Sequence, residues 1–190
     1  MTTAITFHKL ALGPVLQGLK NAHAFISKGQ AHAAAQGHDE NDYTTARLHP
    51  DMLDLVSQVN RFTDSAKFIP TRVNPENPTI PLPDVEKTFP ELLDRITRTI
   101  AYLESIDEQS FEGRETAPYT SHFGQGTIKV EWTAIDYVMQ FAQPNFWFHV
   151  TTAYDILRMK GVDVGKLDFL NGAGLMKLQR VEKAEGRTGA

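Results

Sequence analysis

Cysteine is absent from all 190 residues. With it go disulfides, thiol nucleophiles and thiolate metal sites, so histidine and carboxylates remain as the strong metal ligands. No apolar run approaches the roughly 20 residues that span a bilayer. The opening MTTAITFHKLALG has no basic leader, so neither a signal peptide nor a membrane anchor is expected. There is no basic run and no interleaving of aromatic with basic residues, and the formal net charge is −4; a nucleic-acid partner is therefore not expected. Walker-loop, GxSxG and HExxH sequences are missing as well, which removes the familiar phosphate cradle, nucleophile elbow and zinc pair. These absences leave the expectation of a cytoplasmic protein without membrane or nucleic-acid partners.

At 41% hydrophobic, the chain can bury one sizeable core but is too short for two full domains. Apolar residues recur at Phe7, Leu10, Val15, Leu19, Phe25 and Ile26, predicting a long first helix over residues 6–36 with Gly13-Pro14 as a kink. GHDEND supplies turn chemistry from Gly37 to Asp42. A second helix is expected to start near Pro50, with Asp51 and Asp54 in its first turn and Leu48, Met52, Leu55, Val59 and Phe62 as its stripe. Five prolines between Pro70 and Pro83 predict a long irregular connection. Thr88-Phe-Pro-Glu91 is a capping box that opens a third helix ending near Ser105. Ile128, Val130 and Trp132 alternate with Lys129 and Glu131 behind a Gly124-Gln-Gly126 turn, which predicts a β-ribbon. AIDYVMQFA is helical in pattern, with Gln143-Pro144 expected to break or kink it. The last long helix follows, with Gly161 as its left-handed cap. One helical domain over 1–170 and a loose tail over 171–190 complete the expectation.

That last helix carries the chemistry. On a wheel of about 100° per residue, His149 falls within the arc of Phe146, Val150, Ala153, Ile156 and Leu157, with Asn145 and Thr152 at i−4 and i+3. In one reading His149 is a core histidine satisfied by Asn145, Thr152 or a carbonyl. In the other it is a general acid/base in a core pocket, with Asp51 orienting it or binding substrate. Asp51 and Gln58, seven residues apart, would then border the same pocket, whose substrate-binding set is Asn145, Gln58, Thr152, Phe146 and Leu55. Asp51 is equally readable as a partner of the helix dipole, and Gln58 as a hydrogen-bonding residue of the bundle. Trp147 and Tyr154 point to another face, as contacts with a neighbouring helix or with a second subunit. Lys166 and Asp168 read as a docking turn, His38 as solvent-exposed, and His122 falls in the ribbon.

Several stretches carry a resemblance: LHPDMLDLVSQV at 48–59, TDSAK at 63–67, FPELLDRITRTIAYL at 89–103, PNFWFHVTTAYDILRMKGV at 144–162 and GKLDFL at 165–170. On these the chain resembles a branch of the DinB/YfiT-like bundles catalogued as a domain of unknown function. The resemblance implies an all-α, four-helix bundle with a long Pro-rich connection, a small β-ribbon before the last helix, and homodimers. In the wider superfamily, one early histidine and a later HxxxH pair bind a divalent metal for thiol-transfer or isomerisation chemistry. Here the residue four after His149 is Ala153, so the pair is incomplete. A metal held by His149 with His49 or His8, helped by Asp51, stays open, but the spacing requires no cofactor. Three functions are carried forward. The first is a cofactor-free acid/base isomerase, cyclase or lyase using His149 on a small molecule; the others are a divalent-metal transferase or hydrolase, and a non-catalytic dimeric binding module.

Overall fold

The computed structural model describes residues 5–179. Helix α1 spans Phe7–Gln36; its N-terminus is capped by the Thr6 hydroxyl and its C-terminus by Gly37 at φ 65°. The short α2 (Asn41–Thr44) lies in the expected turn. Helix α3 runs Leu55–Val73, α4 Phe89–Glu104, and strands β1 (Pro118–Phe123) and β2 (Ile128–Thr133) form an antiparallel ribbon with Tyr119 opposite Trp132. The chain re-enters the bundle through α5 (Ala134–Asp136), a π-helical turn (Tyr137–Ala142) and α6 (Gln143–Met159), and closes with α7 (Lys166–Asn171).

The four long helices α1, α3, α4 and α6 enclose the core, as a DinB-like bundle does. α1 packs closely on α6 because Gly18 has no side chain there. A Cβ at Gly18 would stand 2.5 Å from Phe146 Cε1. Among the described residues no helix is long and apolar enough to cross a membrane.

The structure departs from the sequence reading at three points along the helices. α3 does not begin near Pro50: Asp54 is the N-cap, accepting from Ser57 N at 2.9 Å. Arg47 reaches Met52 O at 2.6 Å and Asp54 at 3.1 Å, holding residues 47–54 as a turn. Leu48 and Met52 consequently lie outside the helical stripe. α3 also runs three residues past the start of the Pro-rich segment and contains Pro70 in its last turn. At Pro144 the helix is not broken: the wider π-helical turn precedes it and α6 starts around it, where a missing N–H is tolerated.

Two expectations about the end of the chain also meet the structure. Tyr154 packs on Phe25 of α1 and Phe169 of α7 at ring distances of 5.9 and 5.6 Å, and Trp147 lies 5.9 Å from Phe169. These aromatics therefore seat α7, which Lys28 secures through Asp168 at 2.7 Å. Asn21 binds Leu170 O and Ala173 N at 3.0 and 3.1 Å, holding the first residues of the expected tail. Residues 180–190 of that tail lie outside the described residues.

Candidate functional site

Helix α3 carries two stripes. Leu55, Val59, Phe62, Ala66, Ile69 and Val73 are its core face. Gln58, Arg61, Ser65, Phe68 and Arg72, spaced three and four apart, form a second stripe, because residues at those spacings share one side of a helix. Three of them hydrogen-bond across to the facing π turn and α6. Gln58 pairs with His149 at 2.6 Å, Ser65 with Asn145 at 2.6 Å, and Arg72 with the Tyr137 hydroxyl at 2.7 Å.

Gln58 fixes the state of His149. The amide is buried, and its Nε2 donates to Leu53 O at 3.0 Å, which turns Oε1 toward the ring. Nδ1 of His149 must then be the protonated nitrogen, donating to Oε1, and Nε2 keeps its lone pair. No side chain or backbone N–H among the described residues donates to that Nε2. Burial, and then the charge of Arg61, push the imidazole down to about 4, so it is neutral at physiological pH.

Beside this seam a polar cavity of about 200 Å³ lies between α3, β1 and the π turn, lined by residues that include Arg61, Ser65, Arg72, Tyr119, Phe141 and Asn145. Asn145 sits one helical turn from His149, which is not itself among the lining residues. A larger groove, about 510 Å³, runs between α1 and α7 past Pro14, Trp147 and Phe169. Its one charged wall residue is Lys9, so the chemistry gathers at the smaller cavity.

Behind the cavity the TDSAK segment anchors a buried ion network. Arg95, fully buried on α4, donates to Thr63 Oγ1 at 2.7 Å and meets Asp64, Asp84 and Glu86 at 2.9, 3.1 and 3.1 Å. Lys67 reaches Asp64 at 2.7 Å, and Arg61 reaches Asp84 at 3.0 Å. The guanidinium thereby fastens the Pro-rich connection to α3 and α4.

Of the expected site residues the structure brings His149 and Gln58 together and sets others apart. Asn145 and Thr152 do not satisfy His149: Asn145 Nδ2 donates to Ser65, and the Thr152 hydroxyl turns back to Phe148 O at 2.8 Å. Phe146 and Leu55 are fully buried in the core and do not line the cavity. Asp51 is not in a helix; it sits on the turn before α3, its side chain 80% exposed, and pairs with His49. Placing it opposite His149 required helical periodicity to continue back through residues that Asp54 excludes from the helix. His8 lies against Phe111 at a ring distance of 5.2 Å, with its Nε2 buried and unpartnered. His8, His49 and His149 thus occupy separate elements, and among the described residues no three His, Asp or Glu side chains are grouped to hold a metal. The donor set does not fit the three-histidine centre of the wider superfamily.

Arg61, Ser65, Arg72, Tyr119 and Tyr137 were missed by the sequence reading. The signal for Arg61, Ser65 and Arg72 was the second, polar stripe of α3, which a search for apolar periodicity passes over; Tyr119 on β1 and Tyr137 on the π turn carried no such signal.

The bundle, its Pro-rich strap and its ribbon define a DinB-like protein. More particularly, the chain belongs to the family described as a domain of unknown function (DUF1993), whose model matches residues 7–170. A solved structure of a DinB family member protein from Shewanella denitrificans is 31% identical, with a TM-score of 0.79 over 92% of this chain and 95% of that one. No curated protein matches the sequence.

Proposed function

We propose that the protein binds a small molecule at the α3–α6 seam and acts on it by acid/base chemistry, as an isomerase, cyclase or lyase that needs no cofactor. His149 is the proton acceptor. The observation that supports this is the Gln58–His149 hydrogen bond, which leaves Nε2 as an unshared lone pair on a ring of fixed tautomer. A ring that titrates near 4 is a weak base at neutral pH. An anionic group arriving beside Arg61 would offset that guanidinium and lift the ring toward the useful range. Asp51 has no part in the proposal. The homodimeric, cytoplasmic setting belongs to the proposal too, with sedimentation as the check on the dimer.

The test is a metabolite screen by thermal shift, followed by mass spectrometry of each stabilising compound with wild type and His149→Ala. Conversion by the wild type, reduced about a hundredfold or more in a variant that still folds and binds, is the expected result. Full turnover by folded His149→Ala would sink the reading.

A second reading, a non-catalytic binding module, is favoured by the solid packing of Leu55 and Phe146 and by a cavity that His149 does not line. It expects binding without conversion, and no change in binding on His149→Ala.

A further inference from the structure

Arg72 sits in the last turn of α3 with its guanidinium carbon 4.6 Å from the ring centre of Phe68, 5.3 Å from Tyr137 and 5.5 Å from Tyr119. Aromatic faces stabilise a cation but do not neutralise it. Among the described residues its one hydrogen bond runs from Nη1 to the Tyr137 hydroxyl. Burial pushes that phenol up to about 12, so it stays neutral and contributes no countercharge. Of the five N–H groups on a guanidinium, most are left without an acceptor among the described residues, and none of these residues places a carboxylate within ion-pair distance of Arg72.

The neighbouring charges do not compensate it. Asp64 also lines the cavity, but its carboxylate is held by Arg95 at 2.9 Å, Lys67 at 2.7 Å and Arg61 at 3.6 Å. The network itself balances, Arg61, Lys67 and Arg95 against Asp64, Asp84 and Glu86, so Arg72, which makes no ion pair among the described residues, is the uncompensated cation. The surplus charge is at the cavity. Ser65 and Asn145 supply polar groups on one wall, while Phe68, Phe123 and Phe141 supply apolar ones.

We infer that this cavity is an oxyanion site in which Arg72 binds the carboxylate or phosphate of a small ligand whose apolar, preferably aromatic, body lies against Phe68, Phe123 and Phe141. The inference rests on the small-molecule reading above and names the class of molecule. A cavity of about 200 Å³ is below the range that drug-sized ligands occupy, so the body is about the size of a single ring. A guanidinium already fixed by three rings, one of them also through its hydroxyl, binds an oxyanion with little further ordering of its side chain.

The test is titration of ¹⁵N-labelled protein with benzoate, phenyl phosphate, benzamide and inorganic phosphate, followed through the amides of residues 61–72, 119–123 and 137–145. Benzoate or phenyl phosphate should shift these amides saturably, and whichever binds tighter identifies the anion. Benzamide, the uncharged isostere, should bind at least about tenfold more weakly, and Arg72→Gln should weaken the anion by a similar factor. Tyr137→Phe keeps the guanidinium and its ring contact but loses the hydroxyl that orders it, and should weaken the anion less than Arg72→Gln does; an equal loss in both would mean that disturbance of the π turn, not the charge, is read. The amide spectrum of each unliganded variant reports whether it folds. Inorganic phosphate binding as tightly as phenyl phosphate would overturn the aromatic half of the inference. If benzamide and benzoate bind alike, or Arg72→Gln leaves the anion unchanged, the oxyanion site falls while the small-molecule reading stands. No shift by any of the four overturns the oxyanion site, and the metabolite screen then decides the earlier reading separately.

Discussion

Acid should destabilise this fold through His149, beside a smaller contribution from His23, which burial also pushes down. In the folded protein His149 titrates at about 4, against 6.5 for an ordinary histidine. Between those values the unfolded chain binds the proton and the native chain does not, so stability rises with pH across that window. The contribution of His149 is complete above pH 6.5 and is lost as the pH falls through about 4. Taken whole, a displacement of this size is worth about 3 kcal/mol. The ring is partly exposed and solvent screens it, so about 1–2 kcal/mol is expected. His149→Gln removes the titration and leaves an amide that can meet Gln58. Urea unfolding at neutral pH and near pH 4 should show a larger acid loss in wild type than in the variant, by that amount. Proton NMR midway between the two pKa values should find the imidazole still neutral. An imidazole titrating at or above the ordinary value, or equal acid losses in the two proteins, would refute the argument that burial and the Arg61 charge hold it down.

Two further perturbations test the scaffold. Arg95→Met leaves Asp64 with Lys67 and Asp84 with Arg61, but strands Glu86, whose side chain is 8% exposed. The expected loss in urea unfolding is about 3–5 kcal/mol, part of which Glu86→Gln in the same protein should restore; a loss below about 1 kcal/mol would mean that the carboxylate resolvates freely. Gly18→Ala places a methyl 2.5 Å from Phe146 Cε1 and 2.9 Å from Trp147 Cη2. Although alanine is the better helix former, overpacking should prevail, with a net loss of about 1–2 kcal/mol that Phe146→Leu partly relieves. A stabilised Gly18→Ala protein would contradict the close α1–α6 contact.

What the sequence disclosed was the local part of the structure. The Thr88–Glu91 capping box, Gly161 and the alternation at 128–132 are short-range signals whose partners lie within a few residues, and each marks its element. Asp51 shows how such a signal misleads. Pro50 and Asp54 both resemble helix starts, four residues apart, and the Asp54–Ser57 bond together with the grip of Arg47 decides in favour of the later one. The site itself depends on pairs far apart in the chain. Gln58, 91 positions from His149, is placed beside it by the border of its own helical stripe and by nothing near His149, and the local candidates Asn145 and Thr152 bond elsewhere. Arg95 lies between Leu92 and Ile96 on a stripe that reads as apolar, and its burial becomes intelligible once three carboxylates are seen to converge on it.

A single turn of α3 joins these observations. Thr63 accepts from Arg95, Asp64 meets Arg95 and Lys67, and Ser65 meets Asn145, so three consecutive side chains tie α4 and α6 to one helix, and Arg95, holding Asp84 and Glu86, brings the end of the Pro-rich strap with it. The Arg61–Arg72 wall of the cavity is consequently fixed by directional hydrogen bonds and ion pairs on several sides. The opposite wall is held differently: Tyr119 meets Tyr137 at 4.8 Å, and Phe123 meets Phe141 at 5.0 Å. Ring contacts fix distance more than direction, and a two-stranded ribbon has little stability of its own. The polar wall is thus built to hold charged groups in register, and the ribbon wall to accept apolar bodies of differing outline. A site that recognises a fixed anionic head and tolerates a variable ring would need both.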